Sequence, residues 1–369
     1  MSMSVGRRAD APKAASRRVH ASHVGALSLA ALLTALAVAA PASVGAAQGT
    51  AAADSPSAPT AAVACTKVIT PRDSVASAMG AVRAGDVLCL RGGEYLQDVS
   101  VTPRKGTASA RITMQSYPGE RAVLRGLQRF TDPDFWTFRG LGFTWNRGSY
   151  DQHMVKIIGG TGWIVEKSQF WGARSFANLL IVGSSTYGPP KDWILRDSIL
   201  RDTPGGEAND ARSHNLYVNA PNSTGGLISR NIFANAPKGN NLKLGGSSKG
   251  TDGTDNVYVR YNTFVNGHQS NVLIGNGASN NVFYMNLMVG NDRGWAVRLY
   301  DLRGKGNLVA GNYWYDSSGG RFCSDYDSTV RCTSVIAGAT GGRNPLLDST
   351  YRPTDARADD YGRYGYPSK

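Results

Sequence analysis

Val257-Tyr-Val-Arg-Tyr-Asn-Thr-Phe264 alternates apolar and polar residues, and Asn271-Val-Leu-Ile-Gly275 follows it shortly. The same pair of patterns recurs on both sides. Upstream stand Trp136-Thr-Phe-Arg-Gly-Leu-Gly-Phe143, Trp163-Ile-Val-Glu-Lys-Ser-Gln-Phe170, Trp193-Ile-Leu-Arg-Asp-Ser-Ile-Leu200 and Gly226-Leu-Ile-Ser-Arg-Asn-Ile-Phe233. Downstream come Asn281-Val-Phe-Tyr-Met-Asn-Leu-Met288 and Asn307-Leu-Val-Ala-Gly-Asn-Tyr-Trp314. The starts lie 27, 30, 33, 31, 24 and 26 residues apart. A repeat of that period, with strand rather than helix spacing, signals coils that stack because one unit cannot bury its own inner face.

The columns of the repeat have distinct chemistry. The third position is Phe138, Val165, Leu195, Ile228, Val259, Phe283 and Val309, and the eighth is equally apolar. The sixth is Ser168, Ser198, Asn231, Asn262, Asn286 and Asn312. Stacked amides of that kind form an internal polar ladder. A second strand in each unit reads Val155-Lys-Ile-Ile-Gly159, Leu179-Leu-Ile-Val-Gly183, Asn215-Leu-Tyr-Val-Asn219, Asn241-Leu-Lys-Leu-Gly245, Asn271-Val-Leu-Ile-Gly275 and Ala296-Val-Arg-Leu-Tyr300. The expected fold is all-β, a parallel β-helix forming a single-domain solenoid.

Composition agrees. Gly accounts for 44 of the 369 residues, and none of the 22 Asn precedes Asn146, which argues against a helical bundle. The formal charge is +13, which calls for an acidic partner. Residues 1–46 read as a signal peptide: five basic residues, an apolar run from Gly25 to Ala40, then Pro41 and Val44-Gly-Ala46. The run is too short for a membrane span. Cleavage leaves a charge of +9. Residues 47–63 read as an Ala/Ser/Thr/Pro linker and 64–369 as the folded domain. The expected product is secreted and monomeric, with no nucleic-acid partner and no membrane association after cleavage. Its four cysteines allow three disulfide connectivities. Two lie near each end, which favours Cys65–Cys89 and Cys323–Cys332. No CxxC pair supports a zinc site.

Further motifs carry a resemblance. Gly85-Asp-Val-Leu-Cys-Leu-Arg-Gly-Gly-Glu-Tyr95, Ile112-Thr-Met-Gln-Ser-Tyr-Pro-Gly-Glu120 and Ala122-Val-Leu-Arg-Gly126 resemble the first coils of secreted right-handed β-helix proteins of the pectate-lyase-like superfamily. The resemblance implies an N-terminal cap helix at residues 73–83 and a closing segment at Asn344-Pro-Leu-Leu-Asp348 with Tyr351-Arg-Pro353. Ser213-His-Asn-Leu-Tyr-Val218 and Gly239-Asn-Asn-Leu-Lys-Leu244 are most similar to alginate lyases and chondroitinase B. The scaffold itself does not specify a reaction.

Alternation along the second strands places Lys156, Ile181, Tyr217, Lys243, Leu273 and Arg298 on the outer face. β-Elimination from a uronate needs its carboxylate neutralised, a base for the adjacent proton and a donor to the leaving oxygen. Lys243, Arg298, Tyr217 and His214 are the candidate catalytic residues, with the base a lysine of lowered pKa or a Tyr or His. Asn215, Asn241, Lys156 and Asp301 are candidate substrate-binding residues, and Asp301 is also a candidate ion-pair partner of Arg298. No cofactor is required on this reading. Ca²⁺ at the loop Thr251-Asp-Gly-Thr-Asp255 is the alternative, although an ordinary polar turn explains that loop better. The expected activity is a polysaccharide lyase acting on an acidic, uronate-containing polysaccharide. The alternatives are a glycoside hydrolase, for which Asp197, Asp202, Glu207 and Asp210 are the available carboxylates, and a non-catalytic glycan-binding protein.

Overall fold

A computed structural model describes residues 64–145, 153–203, 213–291, 295–317 and 320–365. The signal and linker segments, Asn146, Glu207 and Asp210 lie outside them.

The chain is a parallel β-helix whose described residues form three sheets of 10, 10 and 9 strands, with strands hydrogen-bonded to their counterparts in neighbouring coils. One coil shows the plan. Gly226–Ser229 belongs to the first sheet, Ile232–Ala236 to the second and Asn240–Leu244 to the third. Each repeated octapeptide is therefore two strands with a corner between them. The fifth position makes that corner. Gly140, Lys167, Asp197, Arg230, Tyr261, Met285 and Gly311 all have φ between 51° and 63°. For a residue with a Cβ that conformation costs roughly 1–2 kcal/mol.

The sixth position offsets this cost. Asn231, Asn262 and Asn286 each donate Nδ2–H to Oδ1 of the next asparagine, ending on Asn312, at 3.0, 3.0 and 2.9 Å. The same Nδ2 groups donate to the third-position carbonyls of the coil before, those of Leu195, Ile228 and Val259. Ser168 and Ser198 continue the column toward the N-terminus. Inside the coils the eighth-position rings stack, Phe143 on Phe170 at 4.6 Å and Phe233 on Phe264 at 4.8 Å.

Both expected disulfides are present, with Cα separations of 5.7 Å for Cys65–Cys89 and 6.1 Å for Cys323–Cys332. A short helix, Val75–Ala81, is N-capped by Ser74 and buries Val75, Ala78 and Met79. The C-terminal segment runs back over the outer face of the second sheet. Leu347 and Tyr351 pack on Ile232, Ala234 and Val265, while Ala358 and Tyr361 pack on Leu287 and Tyr313. Backbone N–H groups of Gly362 and Arg363 bond Met285 and Thr263.

Candidate active site

Strand register defines the outer column of the third sheet. Ser100, Arg129, Lys156, Leu180, Tyr217, Lys243, Leu273, Arg298 and Ser324 stand beside one another on consecutive coils. Ile181 does not belong to the column. It pairs with Ile157 and Val218, and is fully buried with the inward residues. Leu180 takes its place because Leu179 aligns with Val155 and Leu216, not with Asn215.

Tyr217 is the centre of the site. The residue is buried, with 8% exposure, and Lys243 Nζ lies 4.3 Å from the ring centroid. The His214 and His153 rings each lie 5.9 Å from it, and His153 also packs on Phe176 at 5.0 Å. The phenol oxygen of Tyr217 and Nδ1 of His153 are buried with no hydrogen-bond partner among the described residues. Unpaired buried polar atoms are costly, and each calls for a physical explanation.

Electrostatics sets the protonation of the cluster. Burial, with Lys156 and Lys243 nearby, pushes His153 down to about 3. Burial, then Lys243 and His153, pushes His214 well below its ordinary value. Both rings are neutral at pH 7. His214 Nδ1 accepts the backbone N–H of Asn240 at 3.1 Å, so its proton resides on Nε2. Burial raises Tyr217, which keeps its phenol protonated. Lys156 is lowered by burial and then by Arg129 on the adjacent strand.

Sequence reasoning overlooked His153. The available signal was positional: His153 stands two residues ahead of Val155, as His214 stands two ahead of Leu216, and Val155, Leu179 and Leu216 share one register.

Three expectations are corrected. Asn215 and Asn241 do not face the groove. They are fully buried in a second ladder, Asn178 to Asn215 to Asn241 to Asn271, with Nδ2–Oδ1 distances of 2.9, 2.7 and 2.7 Å. The bend from second to third sheet reverses the strand alternation there. Asp301 is not the partner of Arg298. It accepts from Gly250 N–H and pairs with Arg303, while Arg298 pairs with Asp327 and donates to Gln269. Arg298 also lies two coils beyond Lys243, roughly 10 Å along the stack, so it flanks the cluster rather than joining it.

The other acidic candidates lie elsewhere. Asp197 is clamped by Arg230, and Asp202 by Arg201 and Asn235, at corners of the first two sheets. In the 251–255 loop, Asp252 accepts its neighbour's N–H and Asp255 accepts from Asn222. Among the described residues, no group of three or more His, Cys, Asp or Glu comes together as a metal site.

No protein-family model and no curated protein matches the chain. Among solved structures it is similar to pectate lyase Pel9A, at 14% identity and a TM-score of 0.43, over 82% of this chain and 88% of that one. It is similar to an alginate lyase from Paenibacillus sp. str. FPU-7, at 16% identity and 0.47, over 72% and 100%. A third similar structure is the A-module of the mannuronan C-5 epimerase AlgE6 of Azotobacter vinelandii, at 12% and 0.40, over 73% and 93%. At these values the likeness says nothing about chemistry.

Proposed function

We propose that the protein is an exported polysaccharide lyase that cleaves a uronate-containing polymer by β-elimination in the groove over the third sheet. The observation that carries this is the pair of buried, unpartnered groups, Tyr217 Oη and His153 Nδ1, beside the Lys243 ammonium. Both groups are neutral at pH 7, so His153 has a lone pair to accept a proton and Tyr217 a proton to give.

The roles follow from those states. Lys243 faces the uronate carboxylate and stabilises the charge that spreads onto it when the neighbouring C–H is broken. His153 Nδ1 takes that proton. The released electron pair becomes the C4–C5 double bond and the C4–O bond breaks. Tyr217 gives its proton to the departing glycosidic oxygen. The products are an unsaturated uronate and a new chain end, and one proton passing from His153 to Tyr217 through water resets the site. His214 is a positioning residue: its fixed tautomer and edge contact hold the Tyr217 ring.

The test is a panel of alginate, polygalacturonate, hyaluronan and chondroitin, followed by the ultraviolet absorbance of the conjugated product. At least one should be degraded. Tyr217→Phe and His153→Ala should each lower kcat roughly 100- to 10,000-fold while the protein stays folded. Degradation with no unsaturated product identifies a hydrolase instead. Binding without degradation identifies a glycan-binding protein.

A further inference from the structure

Two coils before Tyr217 the same groove widens into a cleft of about 340 Å³. Arg129 and Lys156 form its floor, and Tyr187 with Ser184 and Thr186 forms its wall. We infer that this cleft is a distal subsite for one carboxylate-bearing sugar of the polymer, with the carboxylate between Arg129 and Lys156 and the sugar ring against Tyr187. The inference rests on the elimination reading for what the subsite serves, but on its own geometry for what it binds.

Three observations carry it. Arg129 and Lys156 are direct register partners on adjacent strands. A carboxylate placed between them would meet both cationic side chains. Among the described residues Arg129 forms no ion pair. Among the described residues lining the neighbouring part of the groove, the one acid is Asp98, and it accepts the backbone N–H of Leu127 at 2.7 Å.

The second observation is the aromatic wall. Tyr187 is 41% exposed, so its ring is open to a ligand in the cleft. An aromatic face suits the C–H surface of a sugar, as the guanidinium fork of Arg129 suits a carboxylate.

The third is rigidity. The turn carrying Tyr187 is closed by reciprocal backbone bonds between Ser184 and Gly188, at 3.0 and 2.9 Å, and by Tyr187 N–H to Ser184 Oγ at 2.9 Å. It sits directly on Gly159, where an added Cβ would come within 3.1 Å of Tyr187 Cβ and its carbonyl oxygen. The platform is held in place before any ligand arrives, which reduces the ordering that binding requires.

Lys156 and Tyr217 are two strand spacings apart, roughly 10 Å. Tyr187 lies on the side of Lys156 away from His153, so we place the sugar in the cleft next to, and not at, the bond being cleaved. Long substrates fill both places and short ones only the first.

The experiment measures binding of oligouronides, from trisaccharide to hexasaccharide and prepared from alginate and from polygalacturonate, to the full chain carrying Tyr217→Phe. Arg129→Ala and Tyr187→Ala are added singly, with circular dichroism to check folding. Each should weaken hexasaccharide binding roughly tenfold, and leave trisaccharide binding unchanged. In the otherwise wild-type protein each should raise KM for polymer with little change in kcat. Equal hexasaccharide affinity with and without the two substitutions overturns the subsite. So does equal affinity for a neutral hexasaccharide, or no uronide binding at all. Loss of hexasaccharide binding in Arg129→Ala, in a protein that degrades no acidic polymer, keeps the subsite and sinks the lyase reading.

Discussion

At the scale of single residues, the two histidines give the site its pH dependence. Each is held below its ordinary value, chiefly by burial. Between about 6.5 and about 3 the unfolded chain binds a proton at His153 that the native one refuses. The unfolded state therefore holds more protons, and stability is complete above that window and falls as pH drops through it. Urea midpoints measured from pH 7 to pH 4 should decline, and the decline should be shallower in His153→Gln. For the same reason the acid limb of kcat/KM should lie well below the ordinary histidine value of 6.5. Two neighbours of opposite parity separate chemistry from packing. Lys243→Ala should abolish turnover with little loss of stability. Leu242→Ala, fully buried, should cost about 2–5 kcal/mol, read from denaturant midpoints. Comparable losses of stability in both would place Lys243 in the packing instead.

At the scale of elements, the corner is the unit that repeats. Asn262 accepts from the backbone N–H and Nδ2–H of Asn231, and donates to the Ile228 carbonyl and to Asn286. Asn262→Ala leaves several of these buried groups unpaired, and should destabilise by roughly 3 kcal/mol, measured by chemical denaturation. A change under about 1 kcal/mol would show that the ladder is incidental. The ladder was legible in the sixth column because its chemistry is uniform. The fifth position was not, since Gly, Lys, Asp, Arg, Tyr and Met share no property there. Its left-handed conformation is imposed by the coil above and below. The same bending misplaced Asn215 and Asn241: each stands at the start of its strand, next to the corner, where the alternation does not hold.

At the scale of the whole molecule, charge and coverage act together. The formal charge is +13, and the outer column of the third sheet carries Arg129, Lys156, Lys243 and Arg298 over six strand spacings, about 29 Å. That span exceeds the Debye length of about 10 Å at 0.1 M salt. A polymer lying along the column should bind progressively more weakly as salt rises, whereas a neutral glycan should not respond. Titrations at low and high salt check this, and salt-insensitive binding of an acidic polymer would count against the column as its path. The second sheet is not available for this purpose, because the C-terminal segment already covers it.

Sequence alone determined the coil, its period, the inward columns, the asparagine ladder and the end disulfides. Each of these is local or periodic, and repeated apolar positions can be satisfied only by stacking. The lane containing Tyr217 and Lys243 was likewise legible from alternation. Tertiary structure alone decided which strand each half-repeat belongs to, that Leu180 rather than Ile181 faces the groove, and that Arg298 is tied to Asp327. It alone placed His153 against Tyr217, across residues 64 positions apart in the chain. Such pairings depend on the register between coils of unequal length and on where the chain bends, and neither is written in any one repeat.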